Sequence, residues 1–252
     1  IAYPLSALAG FWLAYYVTKN KYASFLAGMI FGFSYYHILM GRGFMSTNHL
    51  EFIPLYFLSL LYALNKRTLA SFIISAMALS VGFMCNAYWA FFCGLFSTVF
   101  FLFDCVKEKF GRTKIIIKYY FVLLIILLLT NINYFVSQRR VFGQQHLSMI
   151  GRNFVSTNQT VSILSFFAPS PDNWLYSFFG TGNNFLGYIA LALGLAGVYL
   201  LKKNKLFSAF CVCFLMSLLL ASNIPGLFFV NQAYFAIFGM FRAVSRLNIF
   251  SA

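Results

Sequence analysis

Apolar residues in this chain do not alternate as they would in strands. They gather in runs of about 15 to 20 residues broken by short polar turns, close to the length a helix needs to cross a bilayer core of about 30 Å. The pattern predicts helices over Leu5–Thr18, Tyr22–Met40, Phe52–Leu64, Leu69–Phe83, Asn86–Phe103, Ile115–Tyr134, Phe185–Leu201 and Leu206–Ala221. A further apolar run, Ile224–Phe241, is ambiguous because Pro225, Gly226, Asn231 and Gln232 interrupt it. The longest polar stretch, 137–184, holds Pro169-Ser170-Pro171-Asp172-Asn173-Trp174, whose prolines cannot continue a helix and whose tryptophan suits the headgroup level. The expected fold is all-α, a polytopic transmembrane helix bundle of about eight to nine spans with one long extracytoplasmic loop.

Composition agrees with that reading. The 252 residues are 62% hydrophobic and only 9% charged, where soluble domains carry about 25% charged residues. No internal repeat and no linker rich in Gly or Ser divides the chain, so residues 1–252 read as a single transmembrane domain. Its first residues look like the inside of a helix and its last like the start of another apolar run, so the expectation is an internal fragment of a longer protein.

The formal charge of +14 invites a nucleic-acid reading, but the cations sit in the turns rather than along a face, so topology accounts for them and nucleic acid is not an expected partner. Threading alternate turns to opposite sides puts Lys19, Lys21, Lys66, Arg67, the cluster from Lys107 to Lys118 and the cluster from Lys202 to Lys205 together. That side is expected to be cytoplasmic. The opposite side of the cell membrane receives the polar island 41–54, the uncharged turn near Cys85, the loop 137–184 and the segment after Ala221. The five cysteines fall in or beside apolar runs without partners for a zinc site, and read as small apolar residues.

Candidate chemistry concentrates in the island, GRGFMSTNHLEFIP. Glu51 could act as a general base, or ligate a divalent cation that neutralises a phosphate leaving group. Asn48 followed three residues later by Glu51 also resembles a capping box, with Glu51 returning to the Asn48 N–H. His49 could bind a phosphate or a metal, although no second histidine stands at helical spacing. His37, beside Tyr35 and Tyr36 near the external end of the second helix, reads as a hydrogen-bonded structural residue. Arg42, Arg139, Arg140, Arg152, Arg242 and Arg246 lie outside the cytoplasm in this threading, against the usual bias. Their forks match phosphate, whether of lipid headgroups or of a substrate, and Arg242 and Arg246 share a helix face. There is no Walker loop, GxSxG or HExxH, and no carboxylate in the middle of a span, which disfavours an ion-coupled transporter.

The order of features resembles the GT-C class of polytopic glycosyltransferases, and in particular the bacterial YfhO-like branch. The resemblance rests on the helix from Ala27 to Ser34, the island with Asn48-His49, Phe52-Ile53-Pro54-Leu55, the turn at Asn86-Ala87-Tyr88, Phe167-Ala168-Pro169-Ser170, and Phe241-Arg242-Ala243-Val244-Ser245-Arg246. It implies an inverting transfer of a sugar from a polyprenyl-phosphate donor to an extracytoplasmic glycan, polymer or lipid acceptor. An acidic residue would activate the acceptor or organise a metal, and basic residues would hold the lipid phosphate. In that class the principal acidic residue follows the first membrane helix, and the resemblance implies the expectation that it lies upstream of Ile1. Glu51 would then be a helper, with Arg42, His49, Arg242 and Arg246 binding substrate. Two other readings stand beside it: a lipid or polysaccharide transporter, and a non-catalytic membrane assembly subunit.

Overall fold

The computed structural model describes residues 1–34, 37–38, 48–107, 113–133, 136 and 205–221. These form seven helices, and no strand occurs among the described residues: α1 Ala2–Thr18, α2 Lys21–Gly32, α3 Phe52–Lys66, α4 Leu69–Cys85, α5 Ala87–Lys107, α6 Thr113–Thr130 and α7 Lys205–Ala221. The loop 137–184, the apolar runs Phe185–Leu201 and Ile224–Phe241, and Arg42, Arg242 and Arg246 lie outside the described residues. The Ala87–Val106 stretch of α5, 20 residues with a mean hydropathy of 1.8, is long and apolar enough to cross a membrane.

Most ends are set by local chemistry. Lys19 closes α1 in the left-handed region (φ 57°) with its N–H on Tyr15 O at 3.0 Å, and Asn20 opens α2 by accepting from the N–H groups of Tyr22 and Ala23. Arg67 repeats the device after α3 (φ 55°), and Thr68 caps α4 through Ser71 N. Asn86 breaks the chain between α4 and α5 in extended conformation, its Oδ1 accepting from Tyr88 N at 3.0 Å.

The second helix ends earlier than its apolar run, at Gly32 rather than Met40. Phe33 leaves the helical region, and the Ser34 hydroxyl accepts from His37 N at 3.3 Å, starting a new turn in which Ile38 N reaches Ser34 O. A serine that offers its side chain to the backbone competes with the helix it follows.

Helices α1 and α2 form a hairpin whose contact is backbone on backbone. A Cβ on Gly28 would lie 2.4 Å from Ala7 O, and one on Gly32 would lie 2.5 Å from Ala7 Cβ. Ser24, Gly28 and Gly32 recur every four residues along the buried side of α2, and the two glycines lie against Ala7, Gly10 and Phe11 of α1. Small residues let helices approach without side chains between them.

Helix α3 lies against α1, α4 and α5, and buries Tyr56, Phe57, Leu60, Leu61, Ala63 and Leu64. Rings continue the core outward, with Phe57 on Phe100, Phe72 on Tyr119, and Phe100 on Phe210 of α7 at 5.0 Å between centroids. Several polar groups inside are bonded to one another or to the backbone, as where Tyr56 Oη meets Ser97 Oγ and Ser97 Oγ donates to Cys93 O at 2.6 Å. Large apolar side chains point outward instead: Leu5, Leu8 and Trp12 on α1, Ile74, Met77 and Met84 on α4, Phe121, Ile125 and Leu129 on α6. The cysteines are free, with Cys93, Cys105 and Cys213 buried.

Hydrogen bonds between helices sort the polar residues to two ends. At one end Asn65 donates to Tyr16 Oη at 2.6 Å, and the Arg67 guanidinium reaches both oxygens of Asp104 at 3.4 Å. At the other, Ser6 of α1 meets Glu51 at the start of α3, and Thr130 donates to Ser80 at 2.8 Å. Helices α1, α3 and α5 therefore run one way, and α2, α4 and α6 return.

The hairpin contact makes a clear prediction. Gly28→Ala should destabilise the purified protein by about 1–3 kcal/mol, because backbone cannot yield to the new methyl. Gly94→Ala, whose Cβ meets nothing within 4 Å, should be neutral or raise stability by up to about 1 kcal/mol. Equilibrium unfolding of both variants in detergent checks the pair, and equal losses would remove the close contact as the cause.

Candidate functional site

The end of the bundle opposite Asn65, Arg67 and Asp104 carries the candidate site. Its centre is Glu51, one residue before α3, which is 7% exposed although its side chain is ionisable. A buried carboxylate must have its oxygens met. Oε1 lies 2.9 Å from His49 Nδ1, and Oε2 accepts from Ser6 Oγ at 3.3 Å. An ionised carboxylate only accepts, so His49 donates from Nδ1 and its lone pair falls on Nε2. The imidazole side chain is 50% exposed and the carboxylate 9%, so the histidine faces outward and the glutamate stands behind it.

The capping box expected at Asn48 and Glu51 does not form. Glu51 makes no side-chain cap, and Asn48 Oδ1 is buried without a hydrogen-bond partner among the described residues. The reason lies in where α3 begins. The box needs helix from His49 onward with Asn48 as its N-cap, whereas α3 starts at Phe52 with Glu51 in the cap position. The carboxylate turns instead to His49 and Ser6.

His37 supports the same segment. It is fully buried, with Nδ1 2.8 Å from Gly32 O, Nε2 3.0 Å from Asn48 O and the Tyr3 ring 4.5 Å away between centroids. The structural role read from its position is borne out, and the segment it holds is the one that bears the site. Cys85, the last residue of α4, is half-buried and close enough to Glu51 to feel its charge.

Of the residues singled out in the sequence, His49 and Glu51 are brought together, while Arg42, Arg242 and Arg246 lie outside the described residues. Ser6 was not anticipated. It sits in an apolar run 45 positions from its partner, and only the small-residue spacing of the hairpin hints that it faces inward. Among the described residues no three of His, Cys, Asp and Glu converge as a metal centre would need.

What the arrangement can do is move a proton at the bundle mouth. A carboxylate behind an imidazole fixes its tautomer and orients the ring for proton transfer. Set beside known proteins, the chain matches no family model, no curated protein and no solved structure.

The three-way contact predicts coupling between distant positions. Ser6→Ala and Glu51→Gln should interact by about 0.5–3 kcal/mol in a double-mutant cycle of unfolding. Additive losses would mean that the hydroxyl and the carboxylate do not meet in solution.

Proposed function

We propose that the chain belongs to a GT-C-like glycosyltransferase, multi-pass in the cell membrane. It would move a sugar from a polyprenyl-phosphate donor to an extracytoplasmic glycan, polymer or lipid acceptor. The observation that carries the reading is the His49–Glu51 pair, a proton acceptor with its supporting carboxylate at one end of an otherwise apolar bundle. Outward-facing Leu, Ile, Phe and Met side chains on α1, α4 and α6 support placement in lipid, where such surface carries no penalty. The gathering of Lys19, Lys21, Lys66 and Arg67 at the far end supports an extracytoplasmic site, by the preference of cations for the cytoplasmic side.

In this reading His49 Nε2 takes the proton of the acceptor hydroxyl as its oxygen attacks the anomeric carbon. The carbon–oxygen bond to phosphate breaks, its electron pair leaves on the polyprenyl phosphate, and the configuration inverts. Glu51 stabilises the imidazolium so formed. Ser6 holds the second carboxylate oxygen and keeps the pair aligned. Arg42, Arg242 and Arg246 are assigned to the donor phosphate, since arginine forks match its oxygens. The carboxylate is therefore moved from acting on the acceptor to acting through the histidine.

Transfer assays in membranes test the pair. Glu51→Gln and His49→Gln should each lower transfer from a polyprenyl-phosphate sugar by about 10²–10⁴-fold at similar protein level. Full activity in both would favour a non-catalytic assembly subunit. Sidedness is tested separately: in a Cys85→Ser background, an impermeant maleimide should label His49→Cys from outside the cell and Lys66→Cys only after the membrane is opened. Labelling of both from one side would remove the threading.

A further inference from the structure

The fully buried His37 has a geometry that its packing does not require. Both ring nitrogens lie within hydrogen-bonding distance of backbone carbonyl oxygens, Gly32 O at 2.8 Å and Asn48 O at 3.0 Å. Carbonyl oxygens only accept. A neutral imidazole carries one N–H, so it bonds one of these oxygens and turns a lone pair toward the other. An imidazolium donates to both.

Other groups around the ring bear on that choice. From α1, the Tyr3 ring lies 4.5 Å from it between centroids, tilted by 44°. The held segment brings His49 and Glu51, bonded to each other, and Cys85 of α4 is near enough to Glu51 to feel its charge. Among the described residues no charged side chain bonds the His37 ring itself.

The two carbonyls belong to different parts of the structure. Gly32 is fixed against Ala7 of α1 by the hairpin, while Asn48 opens the segment that delivers His49 and Glu51. We propose that His37 is a positioning residue that clasps the segment 48–51 to the α1–α2 hairpin, closing both bonds only when its ring holds two protons. The clasp regulates the site assigned under the glycosyltransferase reading, and in that sense rests on it. Acidification tightens the segment and alkaline conditions loosen it, so the alignment of the His49–Glu51 pair follows the protonation of a third residue.

The test reads the segment rather than sugar transfer, so its failure and the failure of the enzyme reading are distinct. Hydrogen exchange is followed in the full-length protein in lipid nanodiscs at roughly pH 5 and pH 8, the range over which histidine changes charge, with correction for intrinsic exchange. The reporters are the amides of Ile53 and Leu55, which bond Leu50 O and Glu51 O. They should be more protected at the lower pH by roughly fivefold, the worth of one intramolecular hydrogen bond. His37→Phe, which keeps a ring beside Tyr3, should abolish the pH dependence. His37→Gln, which donates at any pH, should also abolish it and serves where the first variant does not fold. His49→Gln should retain it. Dependence that survives either His37 variant, disappears with His49→Gln, or is absent from the unaltered protein would overturn the proposal.

Discussion

The close approach of α1 and α2 is the constraint on which the site depends. Gly28 and Gly32 press their backbone onto Ala7, and no residue with a side chain fits at either place without moving the helices. That contact fixes two things at once. It holds Ser6 toward the bundle, where its hydroxyl reaches Glu51, and it holds Gly32 O where the His37 ring begins. From His37 the path runs to Asn48 O, along the chain through His49 to Glu51, and back to Ser6. The circuit closes on itself, so a displacement of either hairpin helix is felt at the carboxylate.

The bundle handles its polar groups in the way an apolar solvent demands. Inside, hydroxyls of Ser80 and Ser97 return to carbonyls one turn back, and Tyr56 meets Ser97 rather than standing alone. Groups too large or too charged for that treatment stand at the two ends. The chain gives the interior small polar residues and close contacts, and the outward faces its bulk.

Helix positions were largely legible from the apolar runs, since α1, α3, α4, α5 and α7 fall within a few residues of where the runs lie. The exceptions have local causes. Hydropathy does not register that Ser34 starts a new turn, so α2 ends before its apolar run does. The island announced its chemistry through residue type, and His49 and Glu51 do meet. Their contact was not readable, because Asn48 and Glu51 have the spacing of a capping box and only the start of α3 at Phe52 takes Asn48 out of the cap position. The contact of Ser6 with Glu51 was hidden for a different reason: a hydroxyl in an apolar run gives no sign of which distant segment will pack against it.

The two turns at the basic end place Lys19 and Arg67 in left-handed backbone, at φ 57° and 55°, where glycine would sit more easily. Each keeps a side chain at a conformational cost of about 1–2 kcal/mol. What each gains is a cation one residue past a helix's carbonyl end, Lys19 over the Tyr16 ring and Arg67 against Asp104. Residue choice at these bends follows electrostatics over backbone ease, so a glycine there would relax the loop while taking a cation away from the carbonyl end of the helix before it.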